Sequence, residues 1–205
     1  MIDRLREFGV EVSRETERSI AAYAELLLRE NQRQNLISKS SENQLRDRHI
    51  LDSAQLVRFA PRPDSSWLDI GAGPGLPGIV IALLTSGPVT LVEPRRLRVE
   101  FLEHCVGVLK LRDRVTVCCG KAEAVRGTYD VITARAVATI DKLFAMSVGL
   151  AHQRTRWILP KGRSGAKELA DARANWQGRF STEPSITDGQ AVIVVAEGVK
   201  PRGRG

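Results

Sequence analysis

The sequence predicts an α/β protein: a mostly parallel sheet with helices on both faces and an antiparallel final strand, preceded by an N-terminal helical extension. Three observations carry this. From Ser65 onward, short apolar runs alternate with stretches long enough for helices, the pattern of a parallel sheet covered on both sides. Upstream, residues 1 to about 60 read as helical. At the junction, Trp67 to Gly78, WLDIGAGPGLPG, reads as strand, tight glycine loop and helix start, and glycine lets a ligand lie against the backbone.

The extension spans residues 1–63. Ser13 can cap a helix whose apolar positions Ile20, Tyr23, Ala24 and Leu27 share one face, fraying in the polar run Glu30 to Asn35. Ser41 followed by Gln44 is a capping-box pattern that opens a second helix through Arg48, His49 and Asp52 to about Phe59. Pro61 and Pro63 close the extension as a linker. In the second part, residues 64–205, the expected strands are Trp67 to Ile70, Val89 to Glu93, Val115 to Cys119, Tyr129 to Ala134, Trp157 to Leu159 and Ala191 to Ala196. Between them, Leu76 to Thr85, Arg95 to Lys110, Ile140 to Leu150 and Gly165 to Trp176 are long enough for helices. Arg179 to Ser185, the turn Thr187-Asp188-Gly189 and the run from Ala191 suggest a closing hairpin, with a mobile tail from Val199.

A chain of 205 residues suits one compact unit, and 42% hydrophobic with 27% charged residues is a soluble globular composition. No apolar run approaches the roughly 20 residues that span a bilayer, and the N-terminus lacks a signal-peptide apolar block. A cytoplasmic monomer without membrane contact is expected. The net charge of +7 is compatible with a polyanionic partner. Cys105, Cys118 and Cys119 are expected as small buried hydrophobes, and no metal site is expected.

In open α/β sheets ligands bind at the carboxyl ends of the strands. Gly73-Pro74-Gly75-Leu76-Pro77-Gly78 matches the dinucleotide fingerprint, and Glu93 falls where a ribose-binding acid would, so NAD is one candidate. Physical reading disfavours it. A pyrophosphate needs backbone N–H donors, and Pro74 and Pro77 each remove one, while Asp69 brings a carboxylate near the phosphates. A cationic ligand reverses the argument: Asp69 favours an ammonium or sulfonium, and S-adenosyl-L-methionine carries both and no phosphate. The loop glycines Gly71, Gly73 and Gly75 would cradle that ligand, Glu93 would accept from ribose hydroxyls, and Glu123 would lie near the adenine edge.

DIGAGPGLPG, with the upstream Asn35-Leu36 and Arg48-His49-Ile50-Leu51-Asp52-Ser53 and the downstream Ala134-Arg135-Ala136, resembles the bacterial 16S rRNA guanine-N7 methyltransferase family RsmG, also called GidB. The similarity runs from about residue 35 to about 162. It implies a class I methyltransferase (Rossmann-like) fold using S-adenosyl-L-methionine on 16S rRNA or the small ribosomal subunit, near the decoding region. Carried over by residue, the cofactor contacts are Gly71, Leu76, Ala122, Glu123 and Arg135. One departure is Leu97 before Arg98, where the family often has Lys-Arg; Arg95 and Arg96 are candidates to compensate.

Guanine N7 carries a lone pair and no proton, so transfer to it needs no general base, which fits the absence of an obvious acid/base pair. Positioning then carries catalysis, with Arg135 as the positioning candidate. If Arg135 touches the base it should do so through O6, leaving N7 free; its bland alternative is an ion pair with Asp141 or Asp130. N7 faces the major groove, closed to side chains in A-form RNA, so the target guanine must lie in a loop or be extruded. Candidates for RNA contact are Arg48, His49, Arg95, Arg96 and Lys161, with Arg46, Arg163, Lys200, Arg202 and Arg204 as further surface cations. Arg48 and Asp52 are also an i, i+4 pair on the expected second helix. The rivals are a small-molecule methyltransferase with a closed, apolar cleft, a cofactor-sensing binding protein, and an NAD-dependent oxidoreductase.

Overall fold

The computed structural model describes residues 2–203, apart from the side chains of residues 2 and 46; the expectations for Arg46 and Arg204 as RNA contacts lie outside what is described. The extension begins with α1 (Ile2–Glu7) and the long α2 (Arg14–Gln34). Ser13 caps α2 by accepting from the Thr16 N–H at 3.0 Å, and Asn35 ends it in the left-handed conformation at φ 49°. The polar run therefore stays helical to Gln34. Ile20, Tyr23, Ala24 and Leu27 are buried along one face of α2.

The second expected helix is broken into pieces: α3 (Lys39–Glu42), a π-helical turn (Leu45–Ile50), α4 (Leu51–Ala54) and a 3₁₀ turn (Gln55–Phe59). Ser38, not Ser41, stands before α3, and Ser41 is buried against it with the two hydroxyls 2.5 Å apart. The expected capping box does not form.

The sheet comprises β1 (Trp67–Ile70), β2 (Val89–Glu93), β3 (Val115–Cys119), β4 (Tyr129–Thr133), β5 (Ala151–Lys161), β6 (Trp176–Pro184) and β7 (Val192–Pro201). Its order is β3-β2-β1-β4-β5-β7-β6. The first five strands are parallel, and β7 runs antiparallel to both β5 and β6. This is the class I methyltransferase arrangement that the resemblance implies. The order reverses at β1, so the carboxyl ends of β1, β2 and β4 open onto one crevice, the usual ligand position of such sheets.

Side-chain alternation sends Trp67, Val89, Leu91, Val131 and Ile158 to one face, where they join a core containing α2, α5 (Gly78–Leu84) and α6 (Arg96–Val108). Leu68, Ile70, Val92, Ile132 and Trp157 go to the other, under α7 (Ile140–Ser147) and α8 (Gly165–Ala172). There Phe144 meets Trp157 and Trp176 edge to face, with centroids 5.6 and 5.7 Å apart.

Some expectations change. β5 is longer than its apolar centre: it starts at Ala151, paired with Tyr129, and the polar residues after it form an irregularity before pairing with β4 resumes at Arg156. Val199 to Pro201 prolong β7, and Arg202 N–H donates to Asn175 at 2.8 Å, so this part of the tail is tied to the sheet. Of the cysteines only Cys105 is buried; Cys118 is half-buried and Cys119 exposed, because β3 is an edge strand.

Candidate functional site

The loop between β1 and α5 is held by its own N–H groups. Gly71 and Ala72 donate to Val92 O, Gly73 to Glu93 Oε2, Gly75 to Ala72 O and Gly78 to Asp69 Oδ2, all at 2.8 to 2.9 Å. With Pro74 carrying no N–H, little of the loop remains to cradle a phosphate, which strengthens the case against a pyrophosphate ligand. Gly71, Gly73 and Gly75 all have positive φ. A Cβ on Gly71 would meet Val137 Cγ2 at 2.6 Å, and one on Gly75 would meet Ile79 Cγ1 at 2.6 Å.

Beside the loop lies a cavity of about 690 Å³. Gly71, Gly73 and Leu76 border it, as do Glu93, Ala122, Glu123 and Arg135. Glu93 is 3% exposed, and its Oε1 accepts from the Arg95 N–H at 2.9 Å. Both Glu93 oxygens thus have one backbone donor and a lone pair to spare for a ligand hydroxyl. Leu36, from the extension, and Met146, from α7, add apolar wall.

Asp69 and Gly75 do not border this cavity. Asp69 is completely buried under the loop, where Oδ2 accepts from Gly78 and Oδ1 has no partner. Burial pushes its carboxyl up to about 7, against the smaller opposing effect of the Gly78 hydrogen bond. Its contribution to the site is to hold the loop from below.

A second cavity, of about 1110 Å³, adjoins the first. Its wall includes Arg48, His49 and Asp52 from the extension, Lys161 from β5, and Thr187 from the β6–β7 loop. Arg135, Ala136 and Val137 border both cavities. Ala136 sits at φ 56°, an uncommon conformation for a residue with a Cβ and one that recurs where backbone is forced into a functional shape.

Arg135 pairs with neither Asp141 nor Asp130. Its Nη1 lies 3.7 Å from Asp52 Oδ2 and 3.3 Å from His49 Nδ1. Asp141 accepts instead from Asn175 and Trp176, and Asp130 from Ser66 and Arg62. Asp52 is therefore not the i, i+4 partner of Arg48, since the π-helical turn shifts that register and its carboxylate goes to Arg135. His49 is half-buried; burial first, then Arg135 and Arg48, push its imidazole down to about 4. The ring is neutral at pH 7.

Lys161 is not a free cation. Its ammonium donates to Ala138 O at 2.7 Å and Glu168 Oε2 at 2.9 Å, fixing the loop after β4 to α8. Arg48, Arg95, Arg96 and Arg163 are exposed, and Lys200 and Arg202 are exposed on the tail. Arg95 borders the smaller cavity, whereas Arg96 faces Glu100 across 3.3 Å. At the departure, Leu97 is exposed and Arg98 Nη1 lies 3.9 Å from Glu93 Oε2, so Arg98 supports the acid. Sequence reasoning missed Tyr23, which reads as an ordinary core position yet donates from its hydroxyl to Pro74 O at 2.9 Å. It also missed Thr187, whose part depends on contacts across more than a hundred residues of chain.

A family model described as GidB, rRNA small subunit methyltransferase G, matches residues 16–191. The ribosomal RNA small subunit methyltransferase G of Rhizorhabdus wittichii is 43% identical over 197 residues, covering 95% of this chain and 91% of its own. That of Zymomonas mobilis is 41% identical over 200 residues, covering 93% and 90%. Among solved structures, the ribosomal protein L11 methylase of Lactobacillus delbrueckii shares the fold at TM-score 0.57 and 17% identity, over 75% of this chain and 77% of that one. A family match over most of the chain, joined to relatives that align along nearly its whole length, means that the chain belongs to the rRNA small subunit methyltransferase G family.

Proposed function

We propose that this enzyme transfers the methyl group of S-adenosyl-L-methionine to N7 of a guanine in 16S rRNA near the decoding region. The observation that carries the reading is the pair of adjoining cavities sharing the Arg135–Val137 wall: a smaller one suited to the cofactor and a larger polar one suited to an extruded nucleotide. The smaller cavity fits the cofactor by its chemistry. Glu93 offers acceptors to ribose hydroxyls, Ala122 and Leu36 an apolar surface and Glu123 an acceptor for the adenine amine, and the loop's engaged N–H groups suit a ligand without phosphate.

When bound, the cofactor supplies an electrophilic methyl group on a sulfonium. The chain's own residues hold and orient. Glu93 and the glycine loop set the floor of the cofactor cavity, and Arg135 stands at the shared wall with guanidinium N–H groups available to guanine O6 or a phosphate. No side chain needs to remove a proton, because the N7 lone pair attacks directly. Holding N7 in line with the methyl group can lower the barrier by several kcal/mol. A small-molecule substrate is less well served by the larger cavity, which is broad and polar.

The test is transfer of labelled methyl to rRNA, naked and assembled, from cells lacking the activity, with the product mapped to a single N7-methylguanine. Transfer to neither form by folded, cofactor-binding enzyme would overturn the reading.

A further inference from the structure

We propose that Asp52 is a positioning residue for methyl transfer, holding the Arg135 guanidinium at the wall between the two cavities; this rests on the reading of that wall given above. The Asp52 carboxylate is divided between two duties. Oδ1 accepts from Gln55 Nε2 at 2.8 Å and Thr187 Oγ1 at 3.0 Å. Oδ2 faces Arg135 Nη1 at 3.7 Å. Gln55 is itself completely buried; its Nε2 also donates to Ser185 Oγ at 3.1 Å and its Oε1 accepts from the Ile186 N–H at 3.0 Å. One carboxylate thus joins three segments remote in sequence: the extension, the turn after β4 and the β6–β7 loop.

His49 completes the arrangement. Arginine only donates, so the 3.3 Å contact requires His49 Nδ1 to present a lone pair, which places the ring's proton on Nε2. Arg135 Nη1 is therefore held from one side by a carboxylate and from the other by a neutral imidazole. Among the described residues Arg135 Nε and Nη2 make no hydrogen bond or ion pair, so those nitrogens keep donors for a ligand. A partly exposed pair of this kind adds little to stability, with side chains 19% and 21% exposed. Its effect is geometric.

Asp52→Asn isolates the effect, because the amide oxygen can still accept from Gln55 and Thr187 while the charge facing Arg135 is gone. We expect kcat on rRNA to fall roughly 30-fold, with KM and the Kd for S-adenosylhomocysteine changed less than about threefold. Independently of activity, the NMR order parameter of the Arg135 Nε–Hε group should drop below about 0.6 from a value typical of a held side chain. On an Arg135→Ala background, Asp52→Asn should cost less than about twofold more, since it acts through that arginine. An additive loss, an unchanged order parameter, full activity of Arg135→Ala or a melting temperature more than about 10 °C below wild type would each overturn the proposal. Should the wild type methylate no rRNA at all, the functional reading fails separately, and the order parameter still decides whether Asp52 anchors Arg135.

Discussion

Asp69 shows how one buried group can set a pH dependence. Its carboxyl has no solvent exposure, one hydrogen bond and an unpartnered oxygen, and burial raises it from the ordinary 3.8 to about 7. In the unfolded chain it ionises near 3.8, whereas in the native state it keeps its proton up to about pH 7. Across that window the native state binds more protons than the unfolded one. Its contribution to stability is therefore full below the unfolded value and is lost as pH rises through about 7. Asp69→Asn keeps the acceptor for Gly78 and removes the titration. Urea unfolding between pH 5 and 8 should give a shallower decline of stability for the variant than for wild type. Parallel declines would show that Asp69 does not titrate in this range.

At the scale of elements, sequence and structure agree where a local pattern decides the outcome. β1 and β2 lie where their apolar runs place them, because a central parallel strand under two helical layers needs apolar residues at nearly every position. The stretch from Ser38 to Phe59 was not legible, since its breaks answer to tertiary partners: buried Ser41, Asn31 bonding Glu42 and the Ile37 N–H, and Gln55 pinning the β6–β7 loop. The glycine loop was legible as a ligand site, but Asp69 pointing beneath it was not, because spacing does not reveal which face of a strand end meets a cavity. The role of α2 was hidden for the same reason. Tyr23 carries a packing position and a hydroxyl, and the hydroxyl reaches Pro74 O in the loop. Tyr23→Phe leaves the packing and removes one hydrogen bond, worth about 1 kcal/mol. Calorimetry should show the affinity for S-adenosylhomocysteine falling by about threefold to tenfold, at most a few degrees of melting temperature being lost. An unchanged affinity would mean that the loop holds its shape without α2.

At the scale of the molecule, the apolar core on one face of the sheet joins Leu5, Ile20, Tyr23 and Leu27 of the extension to Trp67 and Leu91 of the sheet and Ile79 of α5. We infer that residues 1–63 and 64–205 act as one unit, the first supplying Leu36 to one cavity and Arg48, His49 and Asp52 to the other. This division of labour separates the two ligands electrostatically. The smaller cavity would hold the cofactor through buried Glu93 and backbone geometry, which salt scarcely screens, whereas rRNA would meet exposed cations such as Arg48 and Arg163. Each phosphate neutralised on a single strand adds about −0.7 to the slope of log affinity against log salt. With a net charge of +7 and several exposed arginines near the cleft, the apparent KM for rRNA should rise severalfold or more between 50 and 200 mM salt. Over the same range the Kd for S-adenosylhomocysteine should move less than about twofold. Arg48→Ala should flatten the rRNA slope by roughly one phosphate and leave kcat unchanged. Lys161→Ala should act differently, lowering kcat with little change in slope, because Lys161 is committed to Ala138 O and Glu168 and holds the turn that carries Arg135 and Val137. Equal salt dependence for both ligands, or a slope untouched by Arg48→Ala, would move the RNA-binding face elsewhere on the molecule.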